Sequence, residues 1–189
     1  GYTKITDKGL ASIAKMRSIR SLSFQKDAIT AKGLTHLAQN PALAEIDFNA
    51  TDINDDALRV LSKMSSLSVL NFAKTKISDK GLSHLRTLPS IRKLDLSGTL
   101  VTDAGVRDVL AKLENLEELN LSATKVTDAG VAHLAKLKHL RKLWLRELRA
   151  VSDESIPALS GLSGLLDLEL QKTNITQRGI QILAKALPQ

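Results

Sequence analysis

Cysteine is absent from the 189 residues. No disulfide staples this fold and no thiol is available as nucleophile or soft metal ligand. Small secreted scaffolds usually rely on disulfides, so the absence favours a reducing, cytoplasmic setting. Aromatic residues make up only 3% of the chain against 43% hydrophobic residues, so any core must be aliphatic. No apolar run approaches the ~18 residues that a membrane-crossing helix needs. There is no G-x-S-x-G elbow and no glycine-rich phosphate loop, and no basic-then-apolar leader precedes the first repeat. These absences argue against an enzyme, and no cofactor is expected.

What is present is a phrase said eight times. Ile5-Thr6-Asp7-Lys8-Gly9-Leu10 returns, varied, from Ile29, Ile53, Ile77, Val101, Val126, Val151 and Ile175, in steps of 24 or 25 residues. A sustained period in this range signals a stacked solenoid. No linker or change of composition interrupts it, so residues 1–189 read as one domain of about eight repeats, complete or cut from a longer array.

Each repeat has two halves. After the phrase come apolar residues at helical spacing, as in Leu82, Leu85 and Leu88. Then follows an alternating stretch such as Ile91-x-x-Leu94-x-Leu96, the mark of a short strand. Thr6, Thr30, Asn54, Ser78, Thr102, Thr127, Ser152 and Thr176 are helix N-cap types. The aspartate that usually follows (Asp7, Asp55, Asp79, Asp103, Asp128, Asp153) suits the positive end of a helix dipole, which accounts for it without a calcium ladder. The recurring Gly9, Gly33, Gly81, Gly105, Gly130 and Gly179 allow close approach of the neighbouring coil. One repeat cannot bury its apolar face alone, so strands must pair in parallel and helices must line the other side. Strands need ~4.8 Å of spacing and helices ~10 Å, so the stack bends with its strands inside.

The pattern L-x-x-L-x-L, turn, helix resembles the leucine-rich repeat, over essentially the whole chain. The extended form beginning at Leu116 resembles its helix-bearing class, which includes ribonuclease-inhibitor-like, F-box-associated and bacterial members. The resemblance implies an α/β horseshoe, with a parallel β-sheet on the concave face and α-helices on the convex face. It further implies a non-enzymatic module that binds a protein partner through the concave sheet. An intracellular protein or a secreted bacterial effector or adaptor is the expected setting. The chain departs from the family at the ninth position, usually Asn or Cys, which here holds Asp27, Thr51, Thr75, Thr99, Thr124, Leu148 and Thr173. A threonine ladder broken at Leu148 is the expectation.

Alternation places the residues flanking each strand leucine on the open inner face. Along this face six acidic groups (Glu45, Asp47, Asp95, Glu118, Asp167, Glu169) meet three basic ones (Lys93, Lys142, Arg146), although the chain carries a net charge of +7. That argues against nucleic acid lying in the concavity. Trp144, the only tryptophan, falls on this polar surface, and one of the two extra residues follows it within Arg146–Ala150. Tryptophan and arginine are enriched among residues that dominate binding energy. The expected partner surface is therefore Lys142, Trp144, Arg146, Glu147, Asn120, Glu118, Asp167, Glu169, Asp95 and Asp47. The alternative is charge-driven attachment to nucleic acid or anionic membrane through the basic 136–149 stretch (Lys136, Lys138, Arg141, Lys142, Arg146, Arg149). Phe24, Phe48 and Phe72 share an inward row with Leu96 and read as a core spine, not a base-stacking platform. His36, His84 and His133 are separated by two helical layers, too far to share a metal. The expected state is a monomer, or a weak end-to-end association through an open terminal strand.

Overall fold

The computed structural model describes residues 5–187. Seven three-residue strands pair in parallel, strictly in chain order, into one sheet. They are β1 (Ser21–Ser23), β2 (Glu45–Asp47), β3 (Val69–Asn71), β4 (Lys93–Asp95), β5 (Glu118–Asn120), β6 (Lys142–Trp144) and β7 (Asp167–Glu169). The register aligns their central residues Leu22, Ile46, Leu70, Leu94, Leu119, Leu143 and Leu168. These centres are buried except at the two ends, while the flanking residues of every strand keep solvent exposure. Between strands the chain returns through α1 (Asp7–Ile13), α2 (Ala31–Leu34), α3 (Asp55–Leu61), α4 (Asp79–Leu82), α5 (Asp103–Asp108), α6 (Asp128–Leu134), α7 (Ile156–Ser160) and α8 (Gln177–Ala186). Each helix packs on its sequence neighbours. The result is the solenoid expected from the period: a parallel sheet on the concave face and helices on the convex one.

The core is a set of rows running through the stack. Leu34, Leu58, Leu82, Val106 and Val131 occupy one helical row, all fully buried, and Phe24, Phe48 and Phe72 begin another. The three rings stack with centroids 5.8 and 5.5 Å apart. From the fourth coil onward leucine fills the same row, at Leu96, Leu121 and Leu145. The phenylalanines are therefore core, as their spacing indicates.

Threonines at the ninth position do bond the turn, but within their own coil. The hydroxyls of Thr51, Thr75, Thr99, Thr124 and Thr173 each donate to the carbonyl three residues earlier, at 2.6–2.8 Å. The row is thus a pile of separate local bonds, not a chain running from coil to coil. Leu148 interrupts it as a buried apolar residue.

The aspartates after the caps do more than face a helix dipole. Asp55 accepts the backbone N–H of Ser78 at 2.8 Å and its hydroxyl at 2.6 Å, one coil further on. The same pair of bonds joins Asp7 to Thr30, Asp79 to Thr102, Asp103 to Thr127, Asp128 to Ser152 and Asp153 to Thr176. The cap residue serves two helices. It receives from its own helix in most coils (not at Thr6 or Ser78) and, wherever the coil before carries the aspartate, donates to that carboxylate.

The glycines complete this joint. A β-carbon at Gly33, Gly81, Gly105, Gly130 or Gly179 would collide with the aspartate of the preceding coil, nearer than the 3.0 Å that real β-carbons respect. Two exceptions follow the same logic. Ala31 replaces the aspartate in the second coil, and the third coil then carries Ala57 where the others carry glycine. Ser155 stands in that place after Asp128 and donates its hydroxyl to the carboxylate.

Burial by itself raises the Asp128 carboxyl, but hydrogen bonds from the Ser155 hydroxyl and from Ser152 outweigh it and hold it below the usual carboxylate range. Asp153 is lowered by the Thr176 hydroxyl and backbone N–H. A carboxyl depressed on folding contributes stability above its unfolded value of about 4 and loses it as pH falls through the folded value. The urea midpoint should therefore drop below about pH 4. Asp128→Asn should be less stable at neutral pH and lose less on acidification, as read by urea titrations at both pH values.

Candidate functional site

The inner face of β4–β7 carries a shallow groove of about 720 Å³. Its strand residues are Asp95, Asn120, Trp144, Asp167 and Glu169, and the turns after the strands add Arg146 and Glu147. Seven of the ten residues expected from the sequence thus share one depression. A smaller hollow of about 250 Å³ lies beside it over β3–β5, and Asp95 and Trp144 line both. Glu118 lines this second hollow. Lys142 lines neither, and its ammonium pairs with Glu118 at 3.3 Å. Asp47 stands apart on β2, where it takes the side-chain amide of Gln25 at 2.5 Å and the backbone N–H of Asn49 at 2.9 Å.

Local geometry explains why this groove has a firm floor. Asn71, Asp95 and Asn120 each use one side-chain oxygen to accept the N–H two residues later, at 2.8–3.0 Å, which folds the chain away from the sheet. The next turn passes through a left-handed residue in every coil: Lys26, Ala50, Lys74, Gly98, Ala123, Glu147 and Lys172, with φ between 54° and 66°. Lys74, Gly98 and Ala123 of this row, with Ser97 and Ser122 beside them, form the rest of the lining. Ser97 and Ser122 continue the strand alternation and are legible from it, whereas Lys74, Gly98 and Ala123 lie beyond the alternating stretch and gain a signal only after the strand register is known.

The charges are largely paired. Lys93 bonds Glu118 at 2.9 Å, Arg146 bonds Glu169, and Glu147 at the rim bonds Lys172 at 2.5 Å. Burial raises the Glu118 carboxyl, but Lys93 and Lys142 outweigh it and hold it below the usual range. Trp144 is half-buried, so its ring is held without being sealed away. Of the basic 136–149 stretch, Lys138 and Arg141 reach the carbonyls of Gly161 and Gly164, while Lys142 and Arg146 turn to the carboxylates of the inner face. These six side chains are distributed around the coil from the end of α6 to the turn after β6. His36 is exposed, and His84 and His133 are half-buried. No group of three or more metal-binding side chains occurs among the described residues, and none of the described helices is long and apolar enough to cross a membrane.

Two solved structures share this architecture. An internalin (inlF) from Listeria monocytogenes superposes with a TM-score of 0.68 at 20% identity, over 93% of this chain and 55% of its own length. Internalin C2 (inlC2) from the same organism gives 0.60 at 21% identity, over 96% of this chain and 80% of its own. The chain therefore spans little more than half of the first relative. No curated protein matches it in sequence. The family model described as Leucine Rich repeat matches residues 63–85 and 112–135. Those two segments have the same strand, turn and helix anatomy as their neighbours on either side, and the chain has the leucine-rich repeat fold.

Proposed function

We propose that this chain is a non-enzymatic protein-recognition module that takes a partner on its inner sheet face, in the groove beside Trp144. The observation that carries the reading is the half-exposed position of that tryptophan, the only one in the chain, on an otherwise polar floor of Asp, Asn and Glu side chains. A large aromatic ring on a rigid sheet supplies contact area at little entropic cost. The likeness to internalins supports the scaffold. A role in protein binding agrees with the use that such scaffolds commonly have.

Charge-driven attachment through residues 136–149 is less well supported, because four of its six basic side chains are already engaged. Trp144→Ala separates the readings. With a partner captured from the source cell and then purified, the substitution should weaken binding at least tenfold while the thermal midpoint moves by only a few degrees. Unchanged binding with a large fall in the midpoint would make Trp144 a structural cover. Binding that survives Trp144→Ala but collapses between low and moderate salt would favour the electrostatic reading.

A further inference from the structure

The groove carries charge that the fold does not use. On the row that turns the chain off the sheet, Asn71 and Asn120 make the same bond to the i+2 backbone N–H as Asp47 and Asp95. A neutral amide is sufficient for that turn, so the negative charge at Asp95 is surplus to it; its second oxygen accepts only the neutral side-chain amide of Asn120, at 3.0 Å, and no cation. Asp167 goes further, since among the described residues it accepts no side-chain or capping hydrogen bond and joins no ion pair, although it is half-buried in β7. All three basic residues of the strand rows are meanwhile consumed: Lys93 and Lys142 converge on Glu118, and Arg146 is held by Glu169. Lys74, at one end of the groove, is its only cation without an ion pair among the described residues. The groove thus holds four carboxylates against two cations, in a molecule whose net charge is +7.

Resting on the concave-face reading, we infer that the partner presents a cationic extended segment. Its Lys or Arg side chains meet Asp95 and Asp167, and an apolar side chain between them lies against Trp144. The positive charge of the rest of the molecule does not prevent this. At physiological ionic strength charges more than about 8 Å apart are largely screened, so the local sign of the groove governs close contact. The open sheet rows also suit an extended chain, whose alternate side chains would point to the floor.

The test uses two labelled peptides, one alternating lysine with serine around a central leucine and one with glutamate in place of lysine. Wild type should bind the lysine peptide and not the glutamate peptide. The double variant Asp95→Asn, Asp167→Asn should bind the lysine peptide about five- to tenfold more weakly, the loss expected for two solvent-screened ion pairs. Its thermal midpoint should fall by no more than a few degrees, because asparagine already serves the turn at positions 71 and 120 and the one bond lost is that from the Asn120 amide to Asp95. Trp144→Ala should also weaken binding. Preference for the glutamate peptide, or equal binding of the lysine peptide by the double variant, overturns the charge inference. If Trp144→Ala still weakens whichever peptide binds, the concave-face reading survives that failure. If neither peptide responds to Trp144→Ala, both fall.

Discussion

Gly81→Ala is expected to destabilise the protein by about 2 kcal/mol, although alanine is the better helix former by about 1 kcal/mol. The added β-carbon would stand 2.9 Å from Asp55 Cγ and 3.0 Å from Asp55 Cα. That aspartate has little freedom to retreat, because both of its oxygens are held by Ser78. Asp55→Ala alone should cost about 2–3 kcal/mol, since it strands a half-buried N–H and hydroxyl that had a charged acceptor. The double variant should cost less than the sum by at least about 1 kcal/mol, as expected for residues in direct contact. Ala31 facing Ala57 is the natural form of that double variant, with Ala57 fully buried. Urea unfolding of the four proteins measures the coupling, and strict additivity would show that the joint is not a joint.

Phe48→Ala should have the largest effect of any single change, about 3–5 kcal/mol. The ring is fully buried and sandwiched between Phe24 and Phe72, so its removal opens a cavity with stacked rings on both sides. Phe48→Leu provides the control. Leucine fills this row at Leu96, Leu121 and Leu145, so the backbone accepts it, and the loss should be about 1–1.5 kcal/mol. Calorimetry on both variants checks the prediction. A Phe48→Leu midpoint equal to that of wild type would show that the ring stack contributes nothing beyond generic apolar volume, and near-equal midpoints for the two variants would overturn the cavity argument.

The solenoid was legible because every coil repeats the same decision. Apolar residues at helical and then alternating spacing fix which side chains enter the core, and eight copies leave no room for another period. Trp144, Asp95, Asn120, Asp167 and Glu169 were legible for the same reason, since alternation alone puts them on one face. Two things were not. Lys142 belongs to that face by alternation, yet it lines neither hollow and its ammonium pairs with Glu118; pairing across strands depends on side-chain reach that spacing does not encode. The role of the aspartates was half-seen. Reading each helix by itself makes Asp55 a dipole partner, whereas its hydrogen bonds go to the next coil. The signal existed, in that the only aspartate-less coil among the first seven, marked by Ala31, is followed by a coil that lacks glycine. It becomes visible only when position i is compared with position i+26, across a coil boundary.

That pairing of Ala31 with Ala57 makes the coils non-interchangeable parts. A unit carrying an aspartate demands a glycine, or a hydroxyl as at Ser155, in its successor, and a unit without one leaves a glycine notch unfilled. Duplicating or transplanting a turn of this spiral is therefore neutral only where both new borders match. The second and third turns form a seam at which material could be inserted or lost only as a pair.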